Sequence, residues 1–183
     1  MNFARLLLIA CAVLWHVLTG SPVYGADQAA PSEYAVKAAF IFNFAKFTEW
    51  PAAASGATHG QIVLCAFAGE PYGAALAAID GKAVQGRTIR VRRGVRPDEI
   101  KSCHMMFIAE SEERRIPELL RVVKGSPVLT IGDANGFAEA GGMIGLINAD
   151  NRVQFEINNE AAQRAKLKIG SQLLRLARLV KER

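Results

Sequence analysis

The stretch EYAVKAAFIFNFAKFTEWP, Glu33 to Pro51, decides how this chain is read. No charge falls between Lys37 and Lys46, and Phe40, Phe42 and Phe44 crowd the middle. Val36, Phe40, Phe44 and Phe47 recur at i, i+4, i+8 and i+11, which places them on one helical face. Ile41 and Phe42 point elsewhere, so the helix is apolar around most of its girth. Such a helix is buried on several sides or also feeds a partner surface, here a homodimer contact. Pro51 pushes Trp50 out of the α region, so the helix is expected over Glu33–Glu49. Asn43 is the odd polar residue: buried, it needs hydrogen-bond partners, and it either pins register or lines a pocket.

Upstream, Arg5, the apolar run Leu6–Leu18 and the small-residue site Val23-Tyr24-Gly25 read as a signal peptide over residues 1–25, cleaved before Ala26. Its run of about 13 residues falls short of the roughly 20 needed to cross a bilayer. The remaining roughly 160 residues contain no second long apolar run and suffice for one domain with a real core. That domain is placed at residues 33–183 and is expected to be exported.

Downstream, strands and helices alternate. Gln61–Phe67 has no internal charge and reads as a central strand buried on both faces. Ala74–Ile79 reads as a short helix, and Thr88–Arg92 as a half-exposed strand in which Ile89 and Val91 alternate with Arg90 and Arg92. Met105–Ala109 and Val128–Ile131 are further strands. Ile116–Val123 is a charged helix, with Ser111 as the N-cap ahead of it. Met143–Ile147 and Val153–Ile157 form a hairpin around Ala149-Asp150-Asn151, and Asn159–Lys181 reads as one helix. The fold class is α/β: one domain with a mostly parallel sheet of about five strands, helices on both faces, and a C-terminal hairpin plus helix.

The formal net charge is +5, carried by scattered residues such as Arg87, Arg90, Arg92, Arg93 and Arg96. That is a mildly basic solvated surface. Export argues against a nucleic-acid partner, whereas the basic residues of the last helix suit peripheral contact with anionic headgroups at a membrane surface. No catalytic constellation stands out: there is no nucleophile elbow, Walker A loop or dinucleotide fingerprint. His59 and His104 lie outside any metal-ligand spacing, so no metal or cofactor is expected and the chain reads as non-enzymatic. Asp133 follows a strand, a common place for site residues in α/β proteins and equally for a turn or cap. Trp50, Asn43 and Tyr72 are the candidates for a small-molecule pocket, with core packing as the alternative.

Cys11 lies in the signal peptide, which leaves Cys65 and Cys103 as either one bridge or two buried thiols. A bridge would close a loop worth about 4 kcal/mol on the chain-entropy model.

The opening stretch, Ile62-Val63-Leu64-Cys65, Ser102-Cys103-His104, Pro127–Asp133, Gly141-Gly142-Met143-Ile144 with Phe155-Glu156-Ile157-Asn158, and Leu167–Arg178 together resemble the YfiR family in order and spacing. The resemblance favours the Cys65–Cys103 bridge. The best-known relatives carry a second cysteine pair near the Gly-Gly-Met block, and Ala138 and Gly145 stand at those places here. The resemblance also implies a periplasmic repressor. It would bind the periplasmic domain of an inner-membrane sensor, most directly a diguanylate cyclase, and so control cyclic di-GMP and biofilm formation. A periplasmic small-molecule sensor with an aromatic pocket is the alternative. Within the Phe155–Asn158 block, strand alternation turns Val153, Phe155 and Ile157 to the core and Gln154, Glu156 and Asn158 outward, as partner-binding residues.

Overall fold

In the computed structural model, residues 31–55 and 60–183 are described, and residues 31–183 form one compact unit. The expected signal peptide and His59 lie outside the described residues. Along the chain run α1 (Glu33–Lys46), β1 (Thr48–Glu49), α2 (Ala52–Ser55), β2 (Gln61–Phe67), α3 (Tyr72–Ala77), β3 (Ala83–Val84), β4 (Arg87–Arg93), β5 (Met105–Ile108), α4 (Ile116–Val123), β6 (Leu129–Gly132), β7 (Ile144–Ala149), β8 (Arg152–Ile157), α5 (Asn159–Arg164), β9 (Lys168–Ile169), α6 (Ser171–Leu176) and β10 (Arg178–Leu179). Segments of 3-10 helix, Pro97–Ser102 and Glu110–Arg115, flank β5.

The main sheet has eight strands in the order β10-β8-β7-β6-β5-β2-β4-β3. The stretch β4-β2-β5-β6-β7 is parallel, while β3 and β8 add antiparallel pairings at either side. The expected parallel α/β sheet is therefore present, extended by short strands that carry too few residues to show a pattern. Because β2 was followed in sequence by β4 on one side and β5 on the other, the strand order reverses direction between β2 and β5.

Alternate residues of β2 feed two separate cores. Ile62, Leu64 and Ala66 pack with Met105, Phe107, Ile131, Phe155 and α1 on one face. Val63, Cys65 and Phe67 pack with Met106, Ile108, Leu119 and Phe137 on the other. The Cys65–Cys103 disulfide, with 6.0 Å between Cα atoms, lies in the second core.

Three local readings change. The first helix ends at Lys46, before Pro51 is reached. Gln85 Nε2 donates to the carbonyls of Lys46 and Thr48, and Gly170 N–H to that of Phe47 at 2.8 Å. These partners satisfy the open carbonyls of the helix end, and Thr48–Glu49 leaves as a strand paired with Lys168–Ile169. The approach needs a glycine, because a Cβ on Gly170 would come within 3.1 Å of the Phe47 oxygen. The face packed on the core is Ala38, Ile41, Phe44 and Ala45, whereas Val36, Phe40 and Phe47 are only half-buried.

The segment expected as one helix from Asn159 to Lys181 is broken. Lys166 takes a left-handed φ of 60°, and Leu167 and Ile169 are buried two apart, in strand fashion. Ser111 lies inside the 3-10 segment and is not a cap: that segment starts at Glu110, and its N-terminal N–H is taken by Asp133. The hairpin turn is as read, with Asp150 and Asn151 at φ of 51° and 57°, the signature of a type I′ turn.

A Cβ on Gly145 would stand 3.6 Å from that of Ala138, inside the roughly 3.5–4.5 Å that disulfides span. The Ala138→Cys/Gly145→Cys double variant should therefore form a second bridge and gain about 2 kcal/mol in urea unfolding. Alkylation of the unreduced, denatured variant should find no free thiol; two labelled cysteines would show that these positions do not meet.

Candidate functional site

The reversal of strand order between β2 and β5 opens a crevice beyond the carboxyl ends of the parallel strands, the usual ligand position in such sheets. It encloses about 220 Å³. Three connections contribute to it: Gly69–Tyr72 after β2, Ala109–Ser111 after β5 and Asp133 after β6, with α1 supplying Glu33, Tyr34 and Lys37.

Asp133 organises this end. Its Oδ2 accepts from Lys37 Nζ at 2.8 Å and from the Tyr72 hydroxyl, and its Oδ1 accepts the Glu110 N–H at 2.7 Å. Lys37 also reaches Glu33 at 2.7 Å, and Glu33 accepts from Asn148 Nδ2 at 2.8 Å. The side chains of Lys37 and Asp133 are only 7% and 5% exposed. Buried charges persist only when paired and hydrogen-bonded, and both are.

Burial lowers the pKa of the Lys37 ammonium, but the hydrogen bonds and charges of Asp133 and Glu33 outweigh it and leave the pKa raised. The bond to Lys37, then that to Asn148, holds the Glu33 carboxyl below its ordinary value. Burial, reinforced by Asp133, drives the Tyr72 phenol far above its ordinary range, so it stays a hydroxyl donor. The arrangement clamps the start of α1 onto the ends of β5, β6 and β7. Lys37 was not singled out from the sequence. The signal available was one lysine within an apolar helix, i+4 from a glutamate.

The sequence candidates separate. Tyr72 belongs to this network and also packs on Tyr34 and Phe107 at 4.9 and 4.8 Å. Trp50 is buried elsewhere: its Nε1 donates to the His104 carbonyl at 3.0 Å and its ring meets the His104 ring edge-on. Asn43 is exposed on the outer side of α1. Trp50, Asn43 and Tyr72 therefore share no pocket, because α1 turns Asn43 away while β1 carries Trp50 to the opposite end. His104 is a core residue whose Nδ1 accepts the Val63 N–H at 3.1 Å, and burial lowers its pKa. Among the described residues no group of three or more His, Cys, Asp or Glu is placed to hold a metal ion.

The outward facing expected for Glu156 and Asn158 is overturned; Gln154 alone is exposed. Glu156 is 2% exposed and lies opposite Gly145 across the β7–β8 pair, beneath the segment around Ala138, where it pairs with Arg178 of β10. Asn158 lies past the strand end. It caps α5 by accepting the Ala161 N–H at 3.0 Å and donates to the Ala138 carbonyl at 3.1 Å. Alternation assigns an exposed side only where one face is solvated, and here both faces are covered. The exposed large hydrophobic residues of the described chain are Leu176 and Leu179, on the C-terminal segment that Glu156 anchors.

A family model described as YfiR/HmsC-like matches residues 34–178. Among solved structures, the chain is similar to a conserved domain protein from Vibrio cholerae O1 biovar El Tor, with 12% identity, a TM-score of 0.50, and coverage of 82% of this chain and 60% of that one. It is also similar to an ABC domain in complex with L-Trp from Streptococcus pneumonia, with 12% identity, a TM-score of 0.45, and coverage of 66% and 55%. The chain thus spans somewhat over half the length of each.

The Asp133→Ala variant should lose about 3 kcal/mol or more in urea unfolding, because Lys37, Tyr72 and the Glu110 N–H lose one shared acceptor. Glu33 acts with a lowered pKa, so its contribution is present above the ordinary value of 4.5 and is lost as pH falls through the folded-state value. The Glu33→Gln variant should accordingly show a shallower loss of stability on acidification than the parent. Equal acid slopes would remove Glu33 from the clamp.

Proposed function

We propose, because this chain belongs to the YfiR/HmsC-like family, that it is a non-enzymatic periplasmic regulator that binds the periplasmic portion of an inner-membrane sensor, a diguanylate cyclase, and holds it inactive. The family match over residues 34–178 is the observation that carries this reading. A disulfide in the second core suits an oxidising compartment. Control would be a population shift: the regulator binds one state of its membrane partner better, and the releasing signal alters that difference.

The partner surface consistent with the geometry is the C-terminal edge of the sheet. β10 lies parallel to β8, and the Arg178–Glu156 pair fixes it there. Gln154, Leu176 and Leu179 are exposed beside this seam. In this reading Glu156 positions the contact without making it. A second copy of the chain would dock on the outer side of α1, where Ala35, Val36, Ala39, Phe40 and Asn43 line a shallow groove.

Leu176→Ser and Leu179→Ser should each change stability by less than about 0.5 kcal/mol yet raise cyclic di-GMP in cells carrying them. Glu156→Lys should cost about 3 kcal/mol or more, since it buries a cation against Arg178. Unaltered cyclic di-GMP at normal protein level would remove the two leucines from the contact. Recovery of a membrane cyclase with the purified protein from detergent-solubilised membranes tests the partnership itself.

The self-association arm is checked by light scattering at a protein concentration of tens of micromolar. The dimer mass should appear and Ala39→Glu should return it to the monomer. A monomer in the unaltered protein would rule the α1 contact out.

A further inference from the structure

A second cavity, of about 460 Å³, lies where α4, α5 and the C-terminal tail converge. That volume falls in the range of small-ligand sites, which combine an apolar lining with a few polar groups. Val123 and Met143 supply a buried apolar floor, and Arg121, Lys124 and Arg164 stand around it. Thr130 sits in the floor with its Oγ1 accepting the Met143 N–H at 2.9 Å. Its hydroxyl proton has no acceptor among the described residues.

The cations come from two helices. Each helix end accounts for basic residues in its last turn, where they offset the partial negative charge of the carbonyls. What the helix ends leave unexplained is the convergence of three cations on one apolar-floored cavity, with a carboxylate already seated in it. That carboxylate is Glu182, which pairs with Arg164 and lies 3.3 Å from where a Cβ on Gly141 would stand. Arg121 and Lys124 have no ion-pair partner among the described residues. Apart from its pair with Arg164, Glu182 is held through a tail whose neighbouring ties are Val180 N–H to the Ile157 carbonyl, Lys181 to Glu160 and Arg183 to Glu139.

We infer that this cavity is a binding site for a small organic anion, an apolar body with one carboxylate or phosphate head, which takes the place of the Glu182 carboxylate. The head meets Arg164, with Arg121 and Lys124 at the rim, and the body covers Val123 and Met143. Displacing Glu182 loosens the tail beyond β10, so occupancy is felt at the C-terminal edge of the sheet. The inference stands independently of the regulatory reading, since it rests on the cavity and its charges.

The test is calorimetric titration of the purified protein with phenyl phosphate and with benzoate, using benzyl alcohol as the neutral control. Saturable binding of one or both anions, and none of the alcohol, is expected. Glu182→Gln should bind the anions about threefold tighter, the size of one exposed ion pair released. Arg121→Ala/Lys124→Ala should bind at least about tenfold weaker. All the altered side chains are solvent-exposed, and a melting curve confirms that each variant folds. The inference is overturned if neither anion saturates, if benzyl alcohol binds equally well, or if Glu182→Gln binds no tighter than the parent.

Discussion

Burial of the central sheet on both faces is the constraint on which the rest of this structure depends. A parallel strand covered on each side must supply apolar residues at every position, and β2 does so, sending Leu64 into one core and Cys65 into the other. The disulfide belongs to one layer and the apolar helix α1 to the opposite one. The same constraint explains why Glu156 is buried. At the far side of the sheet the second face is still covered, so a carboxylate there must be paired. Arg178 supplies the opposite charge.

The charged clamp around Asp133 solves a second problem. A helix as apolar as α1 has several comparable ways to lie on a sheet, because hydrophobic contact is non-directional. Lys37 and Glu33 give it direction by meeting Asp133 and Asn148 at the ends of β6 and β7. Asp133 also takes the first N–H of the 3-10 segment after β5, so one carboxylate fixes three connections at the point where strand order reverses. Buried ion pairs contribute little net stability compared with apolar packing and are better understood as selecting one arrangement.

The C-terminal quarter distributes its roles differently from the rest. Its short pieces, β9, α6 and β10, are too small to be stable alone and depend on what they touch. β9 closes on β1, and β10 on β8. Beyond them the tail is held by exposed ion pairs, Lys181–Glu160, Arg164–Glu182 and Arg183–Glu139, each worth under about 1 kcal/mol. That combination leaves the edge of the sheet strongly anchored at Arg178 and weakly anchored past it.

The sequence by itself determined the α/β class, the central position of Gln61–Phe67 and the hairpin at Asp150-Asn151, because hydrophobic period and turn chemistry are local properties; the family was legible through the resemblance of its motifs in order and spacing. It also pointed to Ala138 and Gly145 as neighbours, through resemblance to relatives rather than through any local signal. Only the tertiary structure decided where α1 stops, that Leu167–Arg178 breaks into strand and helix, and that Glu156 and Asn158 face inward. In each case the deciding partner is distant in sequence: Gln85 and Gly170 for the helix end, Thr48–Glu49 for β9, Ala138 and Arg178 for the buried polar pair. Lys37 and Asp133 show the same limit, since nothing within a few residues of either announces that the two meet. A local pattern fixes which face of an element is apolar, and the covering of its other face is settled only when the whole chain has packed.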